Sequence, residues 1–179
     1  MAVSHLILGG ARSGKSRHAL TIAEQNGRRP VFIATAEALD DEMADRISRH
    51  KNERGPAWAT LEAPLNLSSA IHTAALQGDV CLVDCLTLWL SNLMHHERDI
   101  PAETDHLCET ILASSVPIIL VSNEVGLGLV PETPLGRAFR DEQGRLNQAI
   151  AKICEHVEFV AAGLPITLKS EERSSVGLR

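Results

Sequence analysis

The sequence predicts an α/β protein in three layers, a mostly parallel central sheet covered by helices on both faces, and a single domain. Three observations lead there. Short apolar runs at 3–8, 31–34, 80–83 and 116–121 suit buried strands, and stretches with helical periodicity alternate with them. A glycine-rich turn joins the first such run to the first helical stretch. The chain has 179 residues, enough for one well-buried α/β domain and short for two, with no internal repeat or interdomain linker. The expected domain spans 1–169, followed by a polar tail over 170–179.

The turn is the most informative stretch. Gly9-Gly10-Ala11-Arg12-Ser13-Gly14-Lys15-Ser16 has the form G-x-x-x-x-G-K-S, the phosphate-binding loop of nucleoside-triphosphate enzymes. An apolar strand precedes it, and Ala19, Leu20 and Ala23 mark one face of the helix that follows. Glycines let backbone amides wrap phosphates, and the helix N-terminus directs partial positive charge at them. Lys15 would reach the β- and γ-phosphates, and the Ser16 hydroxyl would hold Mg²⁺. The fold expected is therefore of the P-loop NTPase type.

Composition narrows the partners. Net charge is −6, only 3% of residues are aromatic and tyrosine is absent, which argues against a nucleic-acid surface. No leader pattern and no bilayer-length apolar run is visible, so a cytoplasmic protein with no membrane span is expected. Cys81, Cys85, Cys108 and Cys154 lack a second pair at zinc spacing and fit small core residues.

Beyond the first helix, Gly27-Arg28-Arg29-Pro30 is a turn into the second strand, 31–34, closed by Thr35-Ala36. This tip should lie beside the phosphate loop, because ligands collect at the carboxyl ends of strands in open α/β sheets. Asp40-Asp41-Glu42 opens a helix with an apolar stripe of Leu39, Met43 and Ile47; Arg46, His50 and Arg54 share one side of it. Spacing leaves two readings open for His50. It packs against the sheet between solvated arginines, or it is presented to a nucleotide phosphate as base or nucleophile. Gly55-Pro56 ends this helix, and 58–62 suits an edge strand.

Leu65, Leu67, Ala70, Ile71 and Ala74 mark a further amphipathic helix that stops at Gly78. The strand 80–83 then ends in Asp84. Either Asp84 caps the helix over 87–94 or it sits close to Mg²⁺, and the upstream phosphate loop favours the metal. The 87–94 segment, apolar on most sides, suits a buried helix or a subunit contact. His95 and His96 suit the surface, and His5, His18, His72, His106 and His156 offer no paired ligand spacing. The strand 116–121 runs into a long Gly- and Pro-containing segment, 122–134, of the kind that carries function. A long helix over 136–155 carries Arg137, Arg140 and Arg145, a solvated face with Asp141 and Glu142 or a phosphate clamp. Closing strands are expected at 159–162 and 166–168.

Together these pieces resemble the bifunctional adenosylcobinamide kinase / adenosylcobinamide-phosphate guanylyltransferase family of cobalamin biosynthesis. The resemblance runs to about Lys169. It rests on the 9–16 loop, Ile33-Ala34-Thr35, the run from Asp40 to Ala44, Arg46-Ile47, His50-Lys51, Trp58, Glu62, Asn123-Glu124-Val125-Gly126 and Val130-Pro131-Glu132. Phe139-Arg140-Asp141 and the run from Gly144 to Gln148 fit as well. It implies two reactions. ATP or GTP phosphorylates the hydroxyl of adenosylcobinamide; GMP then passes from GTP to adenosylcobinamide phosphate, giving adenosyl-GDP-cobinamide. It implies a guanylyl-histidine at His50, with Lys15 as the second catalytic group. It also implies a guanine-nucleotide site lined by Ala34, Thr35, Ala36, Lys51, Asn52, Glu53, Arg54, Glu62 and Asp84, and a homo-oligomer, a trimer.

Other readings remain. A P-loop small-molecule or nucleotide kinase would use the arginine helix as a clamp and never carry GMP. A GTP-binding switch would carry an Asn-Lys-x-Asp motif, and this sequence has none. An ATPase subunit driving a partner would hydrolyse nucleotide without a cobinamide acceptor.

Overall fold

A computed structural model of the chain describes residues 2–37 and 55–170. The helix expected from Asp40 onward, with Arg46, His50, Lys51, Asn52, Glu53 and Arg54, lies outside the described residues, as does the tail 171–179. The elements run β1 (Ser4–Gly9), α1 (Lys15–Asn26), β2 (Pro30–Ala34), β3 (Ala59–Glu62), α2 (Leu67–Gln77) and β4 (Val80–Asp84). Then follow α3 (Leu86–His95), α4 (Ile100–Leu112), β5 (Ile118–Asn123), α5 (Pro134–Ile153), β6 (His156–Ala161) and β7 (Leu164–Ser170). Seven strands form one sheet in the order β3-β2-β4-β5-β1-β6-β7. Every neighbouring pair is parallel except the β6–β7 hairpin.

The central strands β1, β2, β4 and β5 read as nearly unbroken apolar runs because both faces are covered. Leu6, Ile33, Val83 and Leu120 point to one side, where α2, α3, α4 and α5 pack; Ile7, Phe32, Leu82 and Val121 point to the other, against α1. Each such side chain, fully buried, contributes about 1.5–3 kcal/mol. The apolar helix α3 is consumed in this core: Leu86, Trp89, Leu90 and Leu93 are buried and Trp89 Nε1 donates to the Leu65 carbonyl at 2.8 Å. Its apolar face is therefore intramolecular.

Helix α4 has no counterpart in the expectations from sequence. Its signals are local: Asp99 accepts from the Ala102 N–H at 3.1 Å as N-cap, Pro101 sits in the first turn, and Leu107 and Ile111 are buried one turn apart. The charged residues around it masked a stripe only two residues deep. The closing strands are also longer than expected, and Ser170, assigned to the tail, ends β7.

His95 and His96 are exposed, as the sequence suggests, and two histidine pairs make ring contacts. His95 and His96 meet edge-on, rings 5.3 Å apart, because the helix ends at His95 and His96 leaves helical geometry. His5 and His156, far apart in sequence, are register partners on β1 and β6 and stack at 4.6 Å. Burial, then the neighbouring His156, lowers the His5 pKa from 6.5 to about 4. The unfolded chain thus binds a proton here at a pH where the folded chain does not. Stability is expected to fall as pH drops from 6.5 towards 4. Melting temperatures across pH 7 to 5 check this, and His5→Phe, which keeps a stacked ring without the charge, should flatten the slope.

Candidate nucleotide-binding site

The carboxyl ends of β1, β2, β4 and β5 share one edge of the sheet, and the loop 10–14 crosses it between β1 and α1. Two glycines are required there. A Cβ on Gly9 would fall 2.6 Å from both the Val160 carbonyl oxygen and Ser13 Oγ. Gly14, the N-cap of α1, has φ +96°, and its Cβ would fall 3.1 Å from Gly163 Cα. The β6–β7 turn thus braces the loop from outside, and the Gly163 N–H donates to the Ser13 carbonyl at 2.8 Å. Lys15 is 8% exposed, and its Nζ donates to the Gly10 carbonyl at 2.8 Å. The ammonium is folded back across the loop it would share with phosphates. Ser13 Oγ is buried with no hydrogen-bond partner among the described residues, while Ala11 and Arg12 are exposed.

The tips of β2 and β4 are tied together through Thr35. Its hydroxyl donates to the Cys85 carbonyl at 2.7 Å and accepts the Cys85 N–H at 2.8 Å. Asn92 of α3 donates to the Thr35 carbonyl at 2.7 Å and to the Pro64 carbonyl at 3.0 Å. Thr35, fully buried, therefore spends its polar side chain and its carbonyl inside the protein and fixes where Asp84 stands beside Ala34. Thr35→Val should leave the buried Cys85 N–H unpaired and take one of two donors from the Cys85 carbonyl, which still accepts the Trp89 N–H at 3.2 Å. That costs about 2 kcal/mol, a fall of roughly 4–8 °C in melting temperature for a chain of this size; Thr35→Ser should restore most of it.

Glu62, at the carboxyl end of edge strand β3, is exposed and borders a surface cavity of about 360 Å³ shared with Ala63, Asn66 and Ser69. The four cysteines are free. Burial, then the charge of Asp84, pushes the Cys85 thiol up to about 11, and burial alone pushes Cys81 to about 12. Neither is a nucleophile at neutral pH.

The arginines of α5 are occupied away from any common phosphate. Arg137 donates to the Pro131 and Glu132 carbonyls at 3.0 and 2.7 Å, Arg145 pairs with Glu142, and Arg140 lies 3.8 Å from Asp141. Sequence reasoning assigned no role to Thr87, Asn92, Asn147 or Gly163. Their signal is three-dimensional: each bonds backbone from a distant element at the sheet edge.

Comparison with known proteins agrees with this architecture. The flagellar accessory protein FlaH of Methanocaldococcus jannaschii superposes over 94% of this chain and 78% of its own, with a TM-score of 0.54 at 15% identity, a likeness of fold alone. Bifunctional adenosylcobalamin biosynthesis protein CobP of Pseudomonas aeruginosa is 49% identical over 168 residues, covering 93% of this chain and 97% of its own. The corresponding CobU protein of Escherichia coli is 37% identical over 179 residues, covering 92% and 98%. The family profile described as cobinamide kinase / cobinamide phosphate guanyltransferase matches residues 5–168. With that match across nearly its whole length and the phosphate loop at its sheet edge, the chain belongs to the cobinamide kinase / cobinamide phosphate guanyltransferase family.

Proposed function

We propose that this chain phosphorylates adenosylcobinamide with ATP or GTP and then transfers GMP from GTP to the resulting phosphate. The family match over residues 5–168 is the observation that carries the reading. The structure adds support in the loop 9–16, whose Lys15 is buried against the Gly10 carbonyl where a polyphosphate would lie. In the first reaction the substrate hydroxyl attacks the γ-phosphorus, the bond to the β-phosphate oxygen breaks, and the hydroxyl proton leaves to solvent or base. In the second, a ring nitrogen of His50 attacks the α-phosphorus and pyrophosphate departs. An oxygen of the cobinamide phosphate then displaces the imidazole and completes the pyrophosphate linkage.

Within this proposal Gly9 to Ser16 cradle phosphates, and Ala34, Thr35, Ala36, Lys51, Asn52, Glu53, Arg54, Glu62 and Asp84 line the guanine-nucleotide site. Mg²⁺ would be held by the Ser16 hydroxyl and Asp84. The donor set fits: one hydroxyl and one carboxylate are what a cation completed by phosphate oxygens and water needs, and no metal-holding cluster of three or more His, Cys, Asp or Glu occurs among the described residues. When bound, the ion would neutralise charge on the phosphates.

No helix among the described residues is long and apolar enough to cross a membrane, which is compatible with action in the cytoplasm. A homotrimer is part of the same proposal. Edge strand β7 exposes Leu164, Ile166 and Leu168, and association of copies would cover such an edge; light scattering on a sizing column tests the mass.

The deciding assay supplies adenosylcobinamide, Mg²⁺ and GTP and follows the corrinoid by mass. Sequential gain of a phosphate and then of GMP is expected. Phosphate without GMP would leave a plain kinase, a reading that loses support because the α5 arginines are tied to loop carbonyls and neighbouring acids.

A further inference from the structure

Three polar side chains fill a site between β5 and α5 where aliphatic groups would pack more cheaply. Gln143 and Ser122 are fully buried and Asn147 is 6% exposed. Ser122 Oγ donates to Asn147 Oδ1 at 2.7 Å, and Gln143 Nε2 donates to Ser122 Oγ and to Asn147 Oδ1, each at 3.0 Å. Asn147 Oδ1 thus accepts twice, which turns its amide nitrogen towards the strand tip. There Nδ2 donates to the Asn123 carbonyl at 3.1 Å. The reverse amide orientation would set Oδ1 against the Asn123 carbonyl, acceptor to acceptor, and is disfavoured. Gln143 Oε1 is buried without a hydrogen-bond partner among the described residues. A buried unpaired carbonyl costs about 1–3 kcal/mol, so packing alone does not account for this cluster.

The cluster acts on one place. β5 lies between β4 and β1, so its tip falls between Asp84 and the phosphate loop. The Asn123 N–H donates to Thr87 Oγ1 at 2.8 Å, at the start of α3, and the Glu124 N–H donates to the Gly9 carbonyl at 3.0 Å, at the start of the loop. Asn147 supplies the third bond to the same two residues, from α5, which packs beside α3 on the same face of the sheet. Residues 123–124 then run into an exposed segment with Leu127 and Leu129 at 82% and 96% exposure, where the Gly126 N–H donates to the Glu124 carboxylate, a contact within the segment itself.

We propose that Asn147, backed by Gln143 and Ser122, is a positioning residue for the transfer reactions, locking the β5 tip at a fixed place between the phosphate loop and Asp84. The proposal rests on the functional reading above. Ground-state nucleotide binding is carried by the loop amides and Lys15, so a loosened tip should act on turnover more than on affinity.

Asn147→Asp tests it, because the carboxylate still accepts from Ser122 and Gln143 but no longer donates to Asn123. The neutral Asn147→Ser is made beside it, with Ile150→Val as a core control one turn along α5. Turnover of adenosylcobinamide, the dissociation constant of a non-hydrolysable GTP analogue with Mg²⁺, and melting temperature are measured for each. The expected result is a tenfold or greater fall in kcat for both Asn147 variants, with the dissociation constant within about threefold of wild type. Ile150→Val should lower the melting temperature and leave kcat unchanged. A kcat within twofold of wild type in either folded Asn147 variant overturns the proposal. So does a matching loss in Ile150→Val, or failure of both Asn147 variants to fold, since each assigns the cluster to stability. If wild type turns over no cobinamide, it is the functional reading that fails, and the same comparison is made on the basal rate of GTP hydrolysis.

Discussion

Replacing Lys15 by alanine is expected to lower cobinamide phosphorylation and GMP transfer together, each by about 10²–10³-fold, the usual loss when one preorganised charge is removed from a phosphoryl-transfer site. The physical reason lies in its environment. Lys15 as a residue is 8% exposed and its ammonium is bonded to the Gly10 carbonyl at 2.8 Å, so the side chain is held in a buried setting at the loop where the phosphates would bind. A cation so placed acts more strongly on developing negative charge than one in water. Lys15→Arg should not rescue, because a planar fork cannot occupy the space of a compact ammonium folded back across five residues. Rates with each substrate, read beside circular dichroism to confirm folding, decide the matter. A loss smaller than tenfold would mean that the loop binds phosphate without Lys15 contributing to the transition state.

His50→Ala is expected to separate the two activities. With Mg²⁺ and GTP labelled at the α-phosphorus, wild type should acquire acid-labile, alkali-stable label, as a phosphorus–nitrogen bond to histidine requires. The alanine variant should acquire none and should form no GDP-cobinamide, while its phosphorylation of adenosylcobinamide stays within about tenfold of wild type. The asymmetry follows from the chemistry. Phosphorylation of a hydroxyl needs positioning and charge stabilisation. GMP transfer by the proposed route needs a nucleophile that first takes and then gives up the nucleotide. Label retained by His50→Ala would move the covalent site to another residue. Absence of label on wild type that binds GTP would instead favour direct attack by the cobinamide phosphate.

Much of the architecture was legible because local rules and tertiary demands agree. The phosphate loop declared itself through Gly9, Gly14, Lys15 and Ser16, and the structure supplies a reason for two of the glycines: neighbouring backbone at Val160 and Gly163 leaves little or no room for a Cβ. The unbroken apolar strands declared a sheet covered on both faces. Helix α4 escaped because its buried stripe is only Leu107 and Ile111 within a charged surface, too little periodicity to stand out. The apolar segment 87–94 was legible as a helix and ambiguous in use, since core and subunit contact demand the same residues.

The sequence by itself determined the chemistry available: a phosphate cradle with its cation, a strand-end carboxylate, and the residues at 40–54 and 123–148 that mark the family. Those are decided by residue identity at short spacing, where the chain's own geometry leaves few alternatives. Only the tertiary structure decided how the cradle is held. Gly163 meets Ser13 across 150 residues, Asn92 meets Thr35 across 57, and Asn147 meets Asn123 across 24. Such bonds exist because strand order places β5 between β4 and β1 and returns β6 beside the loop. That order arises from how the whole apolar surface is buried, and no local spacing encodes it.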